Sequence, residues 1–395
     1  MNIKLLSSFF IIVSSLLSSA CTTNPVTGQS EMGFVSTEKE ISLGDENYGP
    51  MQQSQGGTYE VDPDLVAYVQ SVGNKLAAKS DRELPYEFVI INDSVPNAWA
   101  LPGGKIAINR GLLLELNSEA ELAAVLGHEV VHAAARHSAQ KMETGMLLSI
   151  GLIVLGVSQR DNDYGKAMMA GGAVGAALLG QKYSRDAESE ADEYGIKYMV
   201  KAGYDPNAAV KLQETFVRLS KGKNPGWLEG LFASHPPSQD RVDANKVLAK
   251  QFYKPGLKIG KDIYQRKIAR LKRSKQAYED YEKSGEALKK KDYKEATRLV
   301  NKAIKREDRE ALFYAMKGDI YQAQNKHTKA IPGYDQAIHL NPDLFYFYLK
   351  RGTSYKALNK KEKAKKDKIV NPALILGQHI IIRIKAAVTA IAIRD

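Results

Sequence analysis

Apolar residues recur at three- and four-residue steps from Leu122 through Val125 and Leu126, and the same stripe continues through Glu129 and His132. This is a helical period, and it carries histidine and carboxylate side chains onto the wall of a core. Ser118-Glu119-Ala120-Glu121 precedes it as a capping box, in which Ser118 accepts from first-turn amides and Glu121 reaches back. Upstream, Pro102-Gly103-Gly104 is turn chemistry, after which Ile106 and Ile108 alternate with Ala107 and Asn109 as in a half-exposed strand. Beside a cleft, such a strand can pair with an extended peptide through a free edge. An ordinary hairpin completing a sheet explains the pattern nearly as well. Residues 146–157 and 167–180 are apolar, dotted with glycine, and shorter than the ~20 residues a helix needs to cross a bilayer. They are expected to form a helical hairpin over the cleft or against a membrane, or simply to pack in the core.

A second period lies further along. Ala296, Ala330 and Ala364 are 34 residues apart, as are Ser284, Gly318 and Gly352, and Tyr321 pairs with Tyr355 in the same register. A 34-residue period with small residues in fixed columns resembles tetratricopeptide repeats, helix pairs beginning near Ala277, Ala311 and Phe345, with Asn341-Pro342 closing the second. Such stacks present a concave surface to protein segments. The pattern stops at Lys368, and the Ile- and Ala-rich tail, broken by Arg383 and Lys385, has no assignment.

Charge divides the chain in the same place. Residues 1–250 hold 22 Lys and Arg against 29 Asp and Glu, net −7, and residues 251–395 hold 34 against 16, net +18. The basic half contains the repeats, so an acidic protein partner or an anionic lipid surface is expected there. Nucleic acid is a poor match for a chain that opens as this one does. Lys4 is followed by a short apolar region through Leu16 and Leu17 and then by Ser18-Ser19-Ala20-Cys21. This reads as a signal peptide ending in a bacterial lipoprotein cleavage box, with Ser18 where Leu is commoner. Cys21 is the single cysteine, which excludes an internal disulfide and suits lipid modification. Acyl chains contribute about 0.8 kcal/mol per buried methylene, enough for a stable anchor. Thr22 stands where Asp would resemble an inner-membrane retention signal, so the periplasmic face of the outer membrane is the expected location.

The chemistry concentrates in His128-Glu129-Val130-Val131-His132. Four helical residues turn the chain about 400°, leaving the two imidazoles ~40° apart around the axis and able to reach one metal ion. H-E-x-x-H on a helix is a zinc signature, with the intervening Glu129 placed as general base toward water. The pattern also occurs by chance on surface helices. Further ligands are sought in the acidic stretch Tyr183 to Gly195, where Glu188 and Asp192 are four apart on one face while Glu190 is rotated by about 200°. That suits Glu188 as third ligand and Asp192 as an acceptor orienting a ligand histidine. Taken alone, a solvated acidic helix face explains the stretch better.

Together, His128 to His132, the S-R-x-x-E-x-E-A-D-x-x-G frame from Ser184 to Gly195, and the preceding Asn97-Ala98-Trp99-Ala100-Leu101-Pro102-Gly103-Gly104 resemble the gluzincin metallopeptidases that include the CAAX prenyl endopeptidases, HtpX and BepA. The resemblance covers roughly residues 24–250. It implies one zinc ion per chain held by His128, His132 and Glu188, Glu129 as base, and Asp192 in support. The rival H-E-x-x-H-x-x-G-x-x-H pattern fails: Ala135 replaces its glycine and His137 falls one position early, so the helix is expected to run on with His137 turned away as a structural residue. Ser234-His235-Pro236-Pro237-Ser238-Gln239-Asp240-Arg241 matches a family frame whose histidine can cap the metal, which makes His235 a candidate removable fourth ligand and Arg241 its loop anchor or a contact of the site. Fixing a Pro-rich turn is the equal alternative for His235.

The expected architecture is mainly α: a signal peptide at 1–20, a lipid-anchored segment at 21–60, a helical zinc-peptidase domain with a small β-sheet at 61–250, a linker helix at 251–276, an α-solenoid of repeats at 277–367, and an unassigned tail at 368–395. The expected function is a zinc endopeptidase cleaving unfolded or misassembled envelope proteins, with outer-membrane assembly machinery as a candidate partner of the repeats. The competing class is a repeat-based chaperone or adaptor for outer-membrane protein assembly with little proteolysis. Glu129 speaks for the enzyme, because a purely structural zinc site does not need it.

Overall fold

The computed structural model describes residues 21–154, 182–222 and 230–369. The chain is mainly helical, with a small sheet and a C-terminal helical repeat region, as expected. It opens with a short antiparallel hairpin, β1 (Cys21–Thr23) and β2 (Ser30–Met32), followed by α1 (Thr37–Ser54) and α2 (Pro63–Ala77). Three strands follow, β3 (Glu87–Ile91), β4 (Ala98–Leu101) and β5 (Lys105–Asn109), in the order β3-β5-β4, with β3 parallel and β4 antiparallel to β5.

The strand expected to be half-exposed is instead the central one. Every residue of β5 is buried, because both faces of the sheet are covered. Ile106 and Ile108 join Phe88, Ile90 and the α2 residues Leu65, Val69 and Val72 in the main core. On the other face Ala107, Trp99 and Leu101 pack against Leu43, Tyr48 and Met51 of α1. Alternation therefore separates two cores rather than core from water. β3 and β4 form the two edges of the sheet. The turn before β5 is as expected: Gly103 has φ 76°, and a Cβ there would meet the Ile41 backbone at 2.7 Å.

A short helix α3 (Arg110–Leu113) leads to α4 (Glu119–Ala134), whose capping box is formed: Ser118 Oγ accepts from Glu121 N at 3.2 Å. Glu121 reaches one residue further than the box predicts and accepts from Asn117 N at 2.9 Å. Apart from His128, this helix is buried all round. It ends early: Arg136 takes φ 62°, and α5 (His137–Val154) starts in a new direction. Arg136 is held there by Glu40 at 2.6 Å and Glu143 at 3.2 Å, carboxylates from α1 and α5. Most of the two apolar stretches expected to form a hairpin, 155–157 and 167–180, lies outside the described residues.

The peptidase-like half is completed by α6 (Arg185–Lys201), α7 (Asn207–Ser220), α8 (Leu231–Ser234) and α9 (Gln239–Phe252). Residues 251–276 hold α10 (Lys261–Lys267) and the start of α11 (Ala269–Lys289), which runs unbroken into the repeats. The remaining helices are α12 (Tyr293–Arg306), α13 (Ala311–Ala323), α14 (His327–Leu340), α15 (Phe345–Ala357) and α16 (Lys361–Ile369). The 34-residue period reappears in the backbone, where Lys291, Asn325 and Asn359 adopt φ of 60°, 59° and 57° between the helices of successive pairs.

The two halves share one core. Tyr278 and Phe313 of the repeats belong to the same apolar cluster as the helices around α4. At the junction Glu310 is 1% exposed and accepts from Asn92 Nδ2 at 3.0 Å and Tyr278 Oη at 2.6 Å. Arg110 donates to Asn92 Oδ1 at 2.7 Å and lies 3.4 Å from the Tyr278 ring centre.

Candidate metal centre

Close packing of α6 on α4 sets the geometry. A Cβ at Gly195 would lie 3.2 Å from the His128 amide nitrogen, so glycine lets the two helices approach until the acidic face of α6 overlies the histidines. Ser184 caps α6 by accepting from Ala187 N at 3.1 Å, which starts the helix one turn before Glu188. Glu188 and Asp192 are then both buried, at 3% and 9% exposure, while Glu190 points elsewhere.

Four donors converge. His128 Nε2 lies 3.0 Å from His132 Nε2 and 3.3 Å from His235 Nδ1, and Glu188 approaches His235 Nδ1 at 2.8 Å, His132 Nε2 at 3.4 Å and His128 Nε2 at 3.6 Å. One donor atom from each of the four lies within 4.8 Å of all the others. Around a tetrahedral ion with bonds of ~2.0–2.1 Å, ligand atoms sit about 3.3 Å apart, so these separations are the edges of a zinc-sized tetrahedron. The 3.0 Å approach of the two imidazole nitrogens brings both lone pairs within reach of one ion. Three nitrogens and a carboxylate are the donor set zinc takes, and the residues fit it.

The electrostatics point the same way. Burial opposes charge on His128, yet Glu188 and Asp192 outweigh it and hold its pKa up at about 10. Burial and the neighbouring imidazoles keep His132 well below its ordinary value, and the surrounding histidines hold the Glu188 carboxyl well below its own despite burial.

Support comes from a second layer. The outer His128 Nδ1 lies 3.1 Å from Asp192 Oδ1, and Asp192 receives Arg241 Nε and Nη2 at 2.7 and 2.8 Å. Arg241 also lies 2.6 Å from Glu188 and donates to Pro236 O at 3.2 Å, anchoring the loop that carries His235. His137 departs from expectation. The break at Arg136 folds its ring back so that Nδ1 lies 2.8 Å from His132 Nδ1, with Glu190 behind it at 3.5 Å. It orients a histidine of the cluster without joining it. Tyr183, not singled out by sequence, stacks on His132 with ring centres 3.8 Å apart. Lys141 sits 3.2 Å from the Tyr183 ring centre, and burial draws its pKa down to about 8.

Glu129 is 1% exposed, and its Oε2 has no hydrogen-bond partner. Burial raises its pKa, so it holds a proton more readily than an exposed carboxylate. His235 Nε2 lies 3.6 Å from Glu129 Oε1, so the same imidazole touches both the donor cluster and this carboxylate. Cys21 opens β1 opposite Met32, and the hairpin is tied to the site's second layer where Asn24 Nδ2 donates to Glu190 at 3.0 Å.

The model of peptidase family M48 matches residues 63–248. A TPR repeat model matches residues 318–359, within α13 to α15 of the repeat region. The chain is similar to the beta-barrel assembly-enhancing protease of Escherichia coli (strain K12), 24% identical over 372 residues, covering 85% of this chain and 75% of that protein. The Yersinia pestis protein of the same name is 29% identical over 237 residues, covering 58% of this chain and 47% of its own length. The mitochondrial metalloendopeptidase OMA1 of Schizosaccharomyces pombe is 36% identical over 177 residues, covering 44% and 50%. The chain thus spans about half the length of the latter two. No helix among the described residues is long and apolar enough to cross a membrane.

Proposed function

We propose that the chain is a zinc-dependent endopeptidase that cleaves unfolded or misassembled envelope proteins. The observation that carries this reading is the convergence of His128, His132, Glu188 and His235 at tetrahedral spacing beside a buried carboxylate, Glu129, that is not part of the cluster. His128, His132 and Glu188 would hold the ion. When bound, zinc supplies Lewis acidity that polarises a peptide carbonyl and makes water acidic.

The chain's own residues do the rest. Glu129 accepts a proton from water as the water oxygen bonds to the carbonyl carbon, and burial has raised its basicity for that role. The same carboxyl passes the proton to the departing amide nitrogen, which leaves as an amine, while the other fragment leaves as a carboxylic acid that gives up its remaining proton to solvent. Asp192 and His137 fix the tautomers of His128 and His132 through their outer nitrogens. His235 is a removable cap: it occupies the fourth position and must swing away with its loop before a substrate carbonyl can enter.

Glu129→Gln tests the assignment. It should retain zinc and lose hydrolysis of an unfolded protein such as casein by at least ~100-fold, the scale of a positioned general base. Loss of zinc together with activity would make Glu129 a ligand instead.

Resemblance to proteases named for barrel assembly supports outer-membrane proteins as the substrate class and the assembly machinery as the partner of the repeats. The leader before Cys21 supports a lipid anchor on the periplasmic face of the outer membrane, and the tie from the β1–β2 hairpin to Glu190 would then hold the cleft near the lipid surface.

A further inference from the structure

Beside the metal cluster, α4, α6, α7 and α9 line a partly open cavity of about 40 Å³. His128 and Glu129 form one end of it, and Leu231 and His235 of the capping segment form part of its rim. Its sides are apolar: Val125, Ile196, Leu212 and Phe216. The ion-paired Asp192 and Arg241 also line it, and two further polar side chains keep unpartnered oxygens there. Gln213 and Asn245 line the same cavity at 5% and 1% exposure, and Gln213 Oε1 and Asn245 Oδ1 are buried without any hydrogen-bond partner. They come from different helices, α7 and α9, and meet at one cavity.

A buried carbonyl oxygen without a partner is costly, and native structures keep only a few such atoms per hundred residues. Leucine has a similar volume and would complete this wall without penalty. Two such groups beside a catalytic carboxylate are what a binding pocket looks like before its ligand arrives. A cavity needs roughly 10–15 Å³ per water-sized group, so this one has room for a side chain of about three heavy atoms. A carboxamide can both donate to and accept from a hydroxyl, whereas the apolar sides suit a methyl.

We propose that this cavity is the side-chain pocket that selects the substrate residue next to the scissile bond, and that it takes threonine, or serine with looser packing. The proposal rests on the peptidase reading above. The methyl of threonine packs on Leu212 and Phe216 while its hydroxyl donates to Gln213 Oε1 or Asn245 Oδ1. Valine, of the same shape, leaves both oxygens unpaired, and leucine or charged side chains exceed the space. His235 lines the pocket, so the movement that uncovers the donor cluster also changes access to it.

The test uses zinc-loaded full chain and peptides that differ only in Thr, Val or Leu at the residue flanking the cleaved bond. Wild-type protein should prefer Thr over Val by at least tenfold in kcat/KM, since sites built around a hydroxyl reject its isostere strongly. Gln213→Leu and Asn245→Leu should each bring that ratio toward unity. The same ratio should appear in the Kd of uncleaved peptides for Glu129→Gln protein, a readout independent of turnover. The melting temperature of both leucine variants should hold or rise, because an unpaired buried polar group is removed. A Thr/Val ratio within twofold in wild type, an unchanged ratio in both variants, or a sharp fall in melting temperature or failure to fold in both would overturn the proposal and make the amides structural. Absence of cleavage of every peptide and of casein would instead refute the peptidase reading itself.

Discussion

Asp192 is the residue whose removal separates metal support from simple packing. Its Oδ1 lies 3.1 Å from the outer nitrogen of His128, and both oxygens receive Arg241, at 2.7 and 2.8 Å. Asp192→Ala removes the acceptor that fixes the His128 tautomer, and such outer partners contribute 10- to 100-fold in metal affinity, or about 1.4–2.7 kcal/mol. It also strips two bonds from an arginine whose side chain is only 11% exposed. Breaking a buried ion pair costs about 3–5 kcal/mol, and because Arg241 keeps Glu188 at 2.6 Å the low end applies. Two measurements follow: zinc competition against a chelator, and thermal unfolding of the metal-free protein. Asp186→Ala, an exposed change on the same helix, is the control and should alter neither. Zinc affinity within twofold of wild type despite a lowered melting temperature would refute the reasoning, leaving Asp192 as a structural partner of Arg241 alone.

His235→Ala should raise basal hydrolysis of casein severalfold with zinc content unchanged, because the cap is lost while three donors remain; unchanged or lower activity would reassign His235 to substrate binding or structure. Glu310→Ala should destabilise the whole chain by about 3 kcal/mol, read by urea unfolding, since it leaves Asn92 and Tyr278 without their buried charged partner. A transition that splits in two, with the first 250 residues unaffected, would show that the repeats are an independent module.

The helical arrangement was legible because it is written in local periods. The stripe from Leu122 to His132, the four-residue step from Glu188 to Asp192 and the 34-residue columns at Ala296, Ala330 and Ala364 each need only neighbouring residues to be read. Features that depend on distant partners were not. The β5 residues Ile106 to Asn109 alternate as a half-exposed strand would, but α1, whose amphipathic pattern is weak, covers the second face. His137 was read as turned away because no glycine marks a break after His132; the break is made by Arg136, an arginine in a left-handed conformation paid for by Glu40 almost a hundred residues earlier. The Asn92, Arg110 and Glu310 junction joins segments some 200 residues apart, and the repeats therefore share a core that their separate period conceals. Gln213 and Asn245 carry no local signal, since each alone is an ordinary polar residue on a helix.

The central claim is that one zinc ion sits among these side chains, and X-ray diffraction from crystals of the full chain at energies either side of the zinc absorption edge tests it most directly. The account predicts a single anomalous peak per chain, about 2.0–2.2 Å from His128 Nε2, His132 Nε2 and a Glu188 oxygen, with Glu129 outside bonding distance. A peak elsewhere, a peak bonded to Glu129, or no peak from protein supplied with zinc would contradict it.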